Sequence, residues 1–383
     1  MHPLLRLTAV LLVSGMANAE PPRLRRLDGS AISVTDAETF ARETLAHHVV
    51  TGAQIAVIDR GRLVWSWAFG MRRLDPALPM ETKTNIWAAS ITKGVFAAYV
   101  VEHGGIELDV PVAKQLKAPL DTFGPYKEAA VDLVRDPRWA RVTPRMLLSH
   151  TSSLLNFAFL EPDKKMHLHA EPGTAYSYSG EGINLVQFLV EQKQGRPLAE
   201  LMQEEVFGPV GMKETGMIYR KEFAENVADR YDAAGKFISK TQRFPARAAG
   251  SMTTSVEDLS KYVEALFKSR ALKAVTKPQI RIRTVHQVPR PGDTPVGEEA
   301  RRVGLAYGLG WGLLTKTPFG PAFFKEGHGD GAVNYMICFT RRQACMILLT
   351  NSENGERAFR PLLEKILGNN VTPWEWEGYV FDK

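Results

Sequence analysis

Between Ile86 and Val101 the chain reads IWAASITKGVFAAYVV, sixteen residues carrying one charge, Lys93. From Ser90 to about His103 apolar residues fall on nearly every face of a 3.6-residue period, so a helix here has to be buried on all sides. The remainder of the fold must be built around it. Ser90 and Lys93 stand three apart, which places both side chains on one face of that helix.

The flanking sequence supplies the layers. In TDAETFARETLAHHV, Thr35 and Glu38 have capping-box spacing at the start of an amphipathic helix. AQIAVIDRGRLVWSWAFG reads as a β-hairpin turning at Arg60-Gly61. The helical segments INLVQFLVEQKQG and LAELMQEEVFGPVG each close on glycine, and Ser255 with Asp258 caps a helix through EDLSKYVEALFKS. Strand-like patterning returns in AYGLGWGLL and YMICFTRRQACMILL, and NGERAFRPLLEKIL closes as a helix. Residues 276–302, rich in Pro, Arg and Gly, read as a mobile surface loop. Strands at both ends and helices in the middle predict an α/β protein of the α+β type. Its mostly antiparallel sheet is built from residues 20–103 and 250–383, and a mainly helical region, 104–249, is inserted with the active site between them.

Composition narrows the function. The formal charge of +6 over 383 residues is mild, and the basic residues are scattered apart from RLRRL at 23–27, read as a solvated arm. Nothing here suggests nucleic-acid binding. Residues 1–19 have the parts of a secretory signal: Arg6, an apolar run from Leu7 to Met16, and Ala17-Asn18-Ala19 as a cleavage site. The run is too short to span a bilayer, so export to the periplasm or medium is expected, with no stable membrane span. Cys338 and Cys345 share one hairpin, where they either pair or remain as two buried thiols. His167 and His169 read as exposed loop residues and His150 as a loop brace. No metal or organic cofactor is implied.

A serine hydroxyl is a poor nucleophile until a base takes its proton, and a lysine serves only as a neutral amine. Burial or a second cation lowers a lysine pKa. The bland alternative makes Ser90 a simple N-cap and lets Lys93 snorkel to the surface. Two further segments weigh against that: EPGTAYSYSGEG, offering Tyr176 and Tyr178, and FFKEGHGDG, offering Lys325 as the second cation. No Gly-x-Ser-x-Gly elbow is present.

In this order, with LLSHTSSL, FGPVGMKETGM, AAGSMTTSVEDL, YGLGWG and LLTNS, the chain resembles the penicillin-recognising serine hydrolases. The branch is that of class C β-lactamases, related esterases and D-amino-acid peptidases. The resemblance implies a β-lactamase-like fold, Ser90 as acylated nucleophile and Lys93 as its proton-transfer partner. Tyr178 matches the tyrosine of Tyr-x-Asn, a general base for acylation and acid for the leaving group; Tyr176 matches a packing aromatic. Lys325 and Gly327 match the ends of Lys-Thr-Gly, which puts the His328 N–H beside that of Ser90 in the oxyanion hole.

Three departures bear on substrate. Gly180 stands where the family has asparagine, and Phe157 where class C β-lactamases carry glutamine. Glu326 replaces a hydroxyl, and either repels a substrate carboxylate or pairs with Lys325. Each lost amide forfeits about 0.5–1.5 kcal/mol of hydrogen bonding to an acylamido group. The expectation is therefore an exported serine hydrolase acting on a small ester, amide or β-lactam, leaning to esterase or peptidase-like activity. A true class C-type β-lactamase, or a slowly acylating sensor of penicillin or cell-wall peptide, is the alternative.

Overall fold

The computed structural model describes residues 22–287 and 297–379. Its centre is a nine-stranded sheet: β1 (Gly52–Asp59), β2 (Arg62–Arg73), β3 (Leu78–Pro79), β4 (Ile280–Arg281), β5 (Leu305–Tyr307), β6 (Gly312–Leu314), β7 (Ala322–Gly329), β8 (Ala332–Phe339) and β9 (Ala344–Thr350). The spatial order is β4-β5-β6-β7-β8-β9-β1-β2-β3, and every neighbouring pair is antiparallel. The two ends of the chain meet in the middle, where β9 pairs with β1 from Thr350↔Ala53 to Cys345↔Ile58.

Alternation along these strands divides the core in two. Ile55, Val57, Met346 and Leu348 face one layer, covered by α1 (Val34–His47) and the C-terminal α5 (Gly355–Leu362). Ala56, Ile58, Ile347 and Leu349 face the other, which holds α2 (Ile91–His103), α4 (Val256–Leu266) and the apolar side of the helical region. Because both sheet faces are covered, the central strands read as nearly continuous apolar runs. The middle of the chain contributes α3 (Gly180–Gln194), ended by Gly195 at φ 68°, and several short helices. No helix among the described residues is long and apolar enough to cross a membrane.

Helix α2 is buried from Ile91 through Val100, as its composition requires. It lies so close to the 308–312 segment that a Cβ on Gly94 would fall 2.3 Å from the Trp311 ring. Gly94→Ala is therefore expected to cost about 1–3 kcal/mol through overpacking, read as a lower urea midpoint at unchanged slope.

Several local expectations are corrected. Ser33, not Thr35, caps α1, accepting from the Asp36 N–H at 3.0 Å; Glu38 instead accepts from Trp65 Nε1 at 3.3 Å. The arm at 23–27 is no free arm: Arg23–Arg25 pairs with Ala31–Ser33 and buries Leu24. Of the glycines of GLGWG, Gly308 and Gly310 lie in the turn between β5 and β6, and Gly312 opens β6. Within the 276–302 stretch read as a loop, residues 280–281 join the sheet edge and Glu298–Val303 is helical, while 288–296 lie outside the described residues. Hairpin 229–240 was not read from the sequence at all. Cys338 and Cys345 sit opposite each other in β8 and β9 and are disulfide-bonded. The signal-like residues 1–19 lie outside the described residues.

Candidate active site

Ser90 is delivered by a tight turn. Trp87 ends a two-residue strand paired with Thr253–Thr254, and Ala89 then takes φ 46°, a left-handed conformation that costs a non-glycine residue energy. Ser90 follows as the residue preceding α2, and its hydroxyl makes no capping bond. It lies instead 2.9 Å from Lys93 Nζ. Among the described residues nothing accepts a hydrogen bond from the Ser90 N–H, which stands at the positive end of α2.

Lys93 does not snorkel. Its side chain is 2% exposed, and Nζ donates to the Ala249 carbonyl at 2.5 Å. That carbonyl is held in place from α3: Asn184 Oδ1 accepts from the Ala249 N–H at 3.2 Å, and Gln187 Oε1 from that of Ala248 at 2.7 Å. With one N–H committed to a carbonyl, a neutral amine 2.9 Å from the Ser90 hydroxyl has a lone pair within reach of the serine proton.

Lys325 projects from β7 into the same place, fully buried. The two lysine nitrogens lie 4.9 Å (Lys93) and 5.1 Å (Lys325) from the Tyr178 ring centroid, so both act on the phenol from close range. Burial holds Lys93 below its usual value, opposed by Tyr178 and reinforced by Lys325. Burial also pushes the Tyr178 phenol up, but Lys325 and Lys93 together outweigh it and hold the group below its ordinary value. Lys325 goes the other way. Burial alone would lower it, yet the Glu326 carboxylate, whose Oε1 is 2.5 Å from Nζ, and Tyr178 raise it. Glu326 is correspondingly held down by Lys325 against its own burial. Of the two readings open for Glu326, pairing is the one observed.

The Tyr178 loop is braced by His150. Its ring is buried, 4.5 Å from that of Tyr178, and Nδ1 accepts from the Ser179 N–H at 3.1 Å. Burial, with Lys93 and Lys325 nearby, holds this imidazole well below its ordinary value and therefore neutral. Tyr176 packs against Tyr307 and Trp376, away from the Ser90–Lys93 contact. Strand β7 is pinned to the nucleophile turn by Asn334 Nδ2, which donates to the Trp87 and Gly327 carbonyls at 3.0 and 3.2 Å. A Cβ at Gly327 would meet the Ala88 carbonyl at 2.2 Å, so only glycine permits this approach. His328 follows, its imidazole exposed and 3.7 Å from Glu356.

A cleft of about 250 Å³ opens onto Ser90, Lys93 and Tyr178, and Phe157 and His328 also line it. Phe157 and Gly180 are coupled: a side chain at 180 would strike the Phe157 ring at 2.6 Å. The ring thus fills the room an asparagine would take. One amide is present all the same. Asn156 lines the cleft and accepts from the Gly180 N–H at 2.8 Å, leaving its amide hydrogens without a partner among the described residues. Asn156, Trp87, Arg243, Arg247 and the Ala249 carbonyl are cleft groups that the sequence reading missed. His167 and His169 each contact a carboxylate, Asp163 at 2.9 Å and Glu161 at 2.6 Å. Asp132, Asp163 and His167 gather ligand-type atoms within 4.8 Å, but the Lys165 ammonium already occupies Asp132 at 2.8 Å.

Residues 37–368 match the profile of the family described as Beta-lactamase. The chain belongs to this family. Curated relatives include a D-aminopeptidase of Brucella anthropi, 27% identical over 243 residues, which covers 60% of this chain and 45% of that protein. A D-aminopeptidase of Brucella ovis is 25% identical over 247 residues, covering 62% of this chain and 47% of the relative. The chain thus spans about half the length of these relatives. Among solved structures, the octameric penicillin-binding protein homologue from Pyrococcus abyssi superposes with a TM-score of 0.68 at 23% identity, over 90% of this chain and 79% of that one. A beta-lactamase/D-alanine carboxypeptidase from Pseudomonas syringae gives 0.68 at 17%, over 90% and 99%. These likenesses bear out the β-lactamase-like fold expected from the family resemblance.

Proposed function

We propose that this family member is a serine acyl hydrolase that works through an acyl-enzyme on Ser90, on esters or amides rather than efficiently on β-lactams. The observation that carries the proposal is the 2.9 Å contact between the Ser90 hydroxyl and a buried lysine whose ammonium form is disfavoured. Ser90 Oγ attacks the carbonyl carbon and its proton passes to the Lys93–Tyr178 pair. The N–H groups of Ser90 and His328 receive the oxyanion. Collapse of the tetrahedral intermediate breaks the bond to the leaving group, which takes a proton from Tyr178. Water, deprotonated by the same pair, then attacks the acyl-enzyme, releasing the acid and restoring Ser90. Lys325, kept charged by Glu326, supplies the field that holds Tyr178 and Lys93 ready. The D-aminopeptidase relatives make D-amino-acid amides a substrate class to include. We also propose export, supported by the signal-like residues 1–19 and by the paired cysteines.

The test is a panel of a short-chain nitrophenyl ester, a D-alanine anilide and a chromogenic cephalosporin, with intact-mass spectra of each mixture. Ester or anilide turnover well above that of the cephalosporin is expected. An adduct on Ser90 that persists for hours would favour the sensor reading. Failure of all three to turn over or to modify Ser90 would sink the proposal.

Two further outcomes are expected. In Glu326→Gln, the carboxylate that raises Lys93, Tyr178 and Lys325 alike is removed. Both limbs of the pH profile of kcat/KM should therefore move to lower pH; an unmoved profile would show that Glu326 does not set these groups. Gly180→Asn alone should be destabilised by about 1–3 kcal/mol through its clash with Phe157. Pairing it with Phe157→Gln should recover stability non-additively and raise cephalosporin turnover.

A further inference from the structure

The cleft in front of Ser90 holds two arginines that form no salt bridge among the described residues. Arg243 lies with its guanidinium carbon 4.0 Å from the Trp87 ring centroid, and Arg230 stands at 4.9 Å from the same ring. Trp87 is itself fixed, donating from Nε1 to the Gly250 carbonyl at 2.5 Å. Arg243 and Arg247 line the cleft together with Ser90, Lys93 and Tyr178. Arg230 spends its donors on the Asp330 carbonyl and Ser239. Arg243 and Arg247 form no salt bridge among the described residues, and Arg243 Nε is buried with no hydrogen-bond partner. Arg243 feels the Asp330 carboxylate, and Arg247 acts on that of Glu181. Guanidinium groups do not lose their proton in proteins, so this positive charge is permanent.

Lys325, the other cation of the site, is not available to a substrate anion, because it is buried and paired with Glu326 at 2.5 Å. We propose that Arg243 and Arg247 form a subsite for a carboxylate carried by the substrate, so that the preferred substrate is an anionic ester or amide. This deepens the acyl-hydrolase reading and rests on it. Guanidinium groups match a carboxylate in geometry and charge, and stacking on Trp87 preorganises one of them. The same pair disfavours a substrate that brings a free ammonium into the cleft, which ranks an unblocked D-amino-acid amide below an ester or amide bearing an acid.

The experiment compares three esters of similar size: 4-nitrophenyl butyrate, 4-nitrophenyl hydrogen glutarate, with the acid on the acyl part, and 4-carboxyphenyl butyrate, with the acid on the leaving group. At least one anionic ester is expected to show a kcat/KM corrected for leaving group about tenfold or more above the neutral ester. That preference should shrink as salt is raised. It should be lost in Arg243→Gln/Arg247→Gln and partly kept in Arg243→Lys/Arg247→Lys, the latter controlling for folding. Equal kcat/KM for all three esters, or a preference that survives the double glutamine variant, would overturn the subsite while leaving acyl transfer intact. If no ester is turned over, equilibrium binding to Ser90→Ala still decides the subsite, while the acyl-hydrolase reading falls only if the anilide and the cephalosporin also leave Ser90 unmodified. Tighter binding of an anionic ester that weakens when both arginines become glutamine supports it, and equal binding overturns it.

Discussion

Alanine at position 90 is expected to reduce turnover of the best ester or amide by about 10⁴-fold or more, to the level left by binding and the oxyanion donors alone. The hydroxyl is held at 2.9 Å from a buried amine at the start of α2, whereas Ser251, the other serine lining the cleft, donates to the Pro245 carbonyl at 3.2 Å. The fold should survive, because the Ser90 side chain makes no capping bond to α2. Thermal unfolding of Ser90→Ala should match the wild type while intact-mass spectra show no acyl adduct. Residual acylation at another residue would move the nucleophile elsewhere.

Lys93→Met carries the second large effect and separates activity from stability. Removing the proton acceptor should lower kcat/KM by about 10²–10⁴-fold. The same change removes an amine that folding buries at a cost, in desolvation or in loss of its proton, so the variant should unfold at a higher urea concentration than the wild type. The pH dependence follows from the depressed value of Lys93. Between its native value and the ordinary 10.5, the unfolded chain still holds a proton that the native state has released. Stability of the wild type therefore rises with pH through that window and levels off below the native value, where both states hold the proton. Lys93→Met should lose this part of the slope. A variant that is both inactive and less stable would show that Lys93 acts mainly as packing.

Much of the site was legible because its chemistry is carried by residue types that are costly where they stand. A lone lysine in an apolar helix, a tyrosine in a Pro-Gly-Ser loop and a lysine on a strand edge each called for an explanation, and the structure brings Lys93, Tyr178 and Lys325 around Ser90. The register of β7 came from the family resemblance, which matched Lys325 and Gly327 to the ends of Lys-Thr-Gly. The structure supplies the reason for the glycine, since a Cβ there would meet the Ala88 carbonyl. What escaped the sequence depends on tertiary juxtaposition. Arg243 and Arg247 sit in TQRFPARAAGS, an unremarkable polar stretch whose meaning comes from Trp87, more than 150 residues earlier in the chain and 4.0 Å from the Arg243 guanidinium. Asn156 was overlooked beside Phe157 because a single residue step along a loop does not disclose which side chain faces the cleft. The turn through Gly308 to Trp311 was read as strand, since close packing against α2 selects the same small residues that a strand interior tolerates.

The pairing of β9 with β1 joins segments almost 300 residues apart, and it has a consequence for how the enzyme comes into being. A ribosome must extend the chain to Ala344–Thr350 before Gly52–Asp59 finds its second neighbour, and closing so long a loop is slow. Lys325 and Gly327 reach the nucleophile turn only through strands that depend on that closure. Hydrolytic competence should thus arrive in one late step, and truncation before Ala344 should yield an inert product rather than a weakened one.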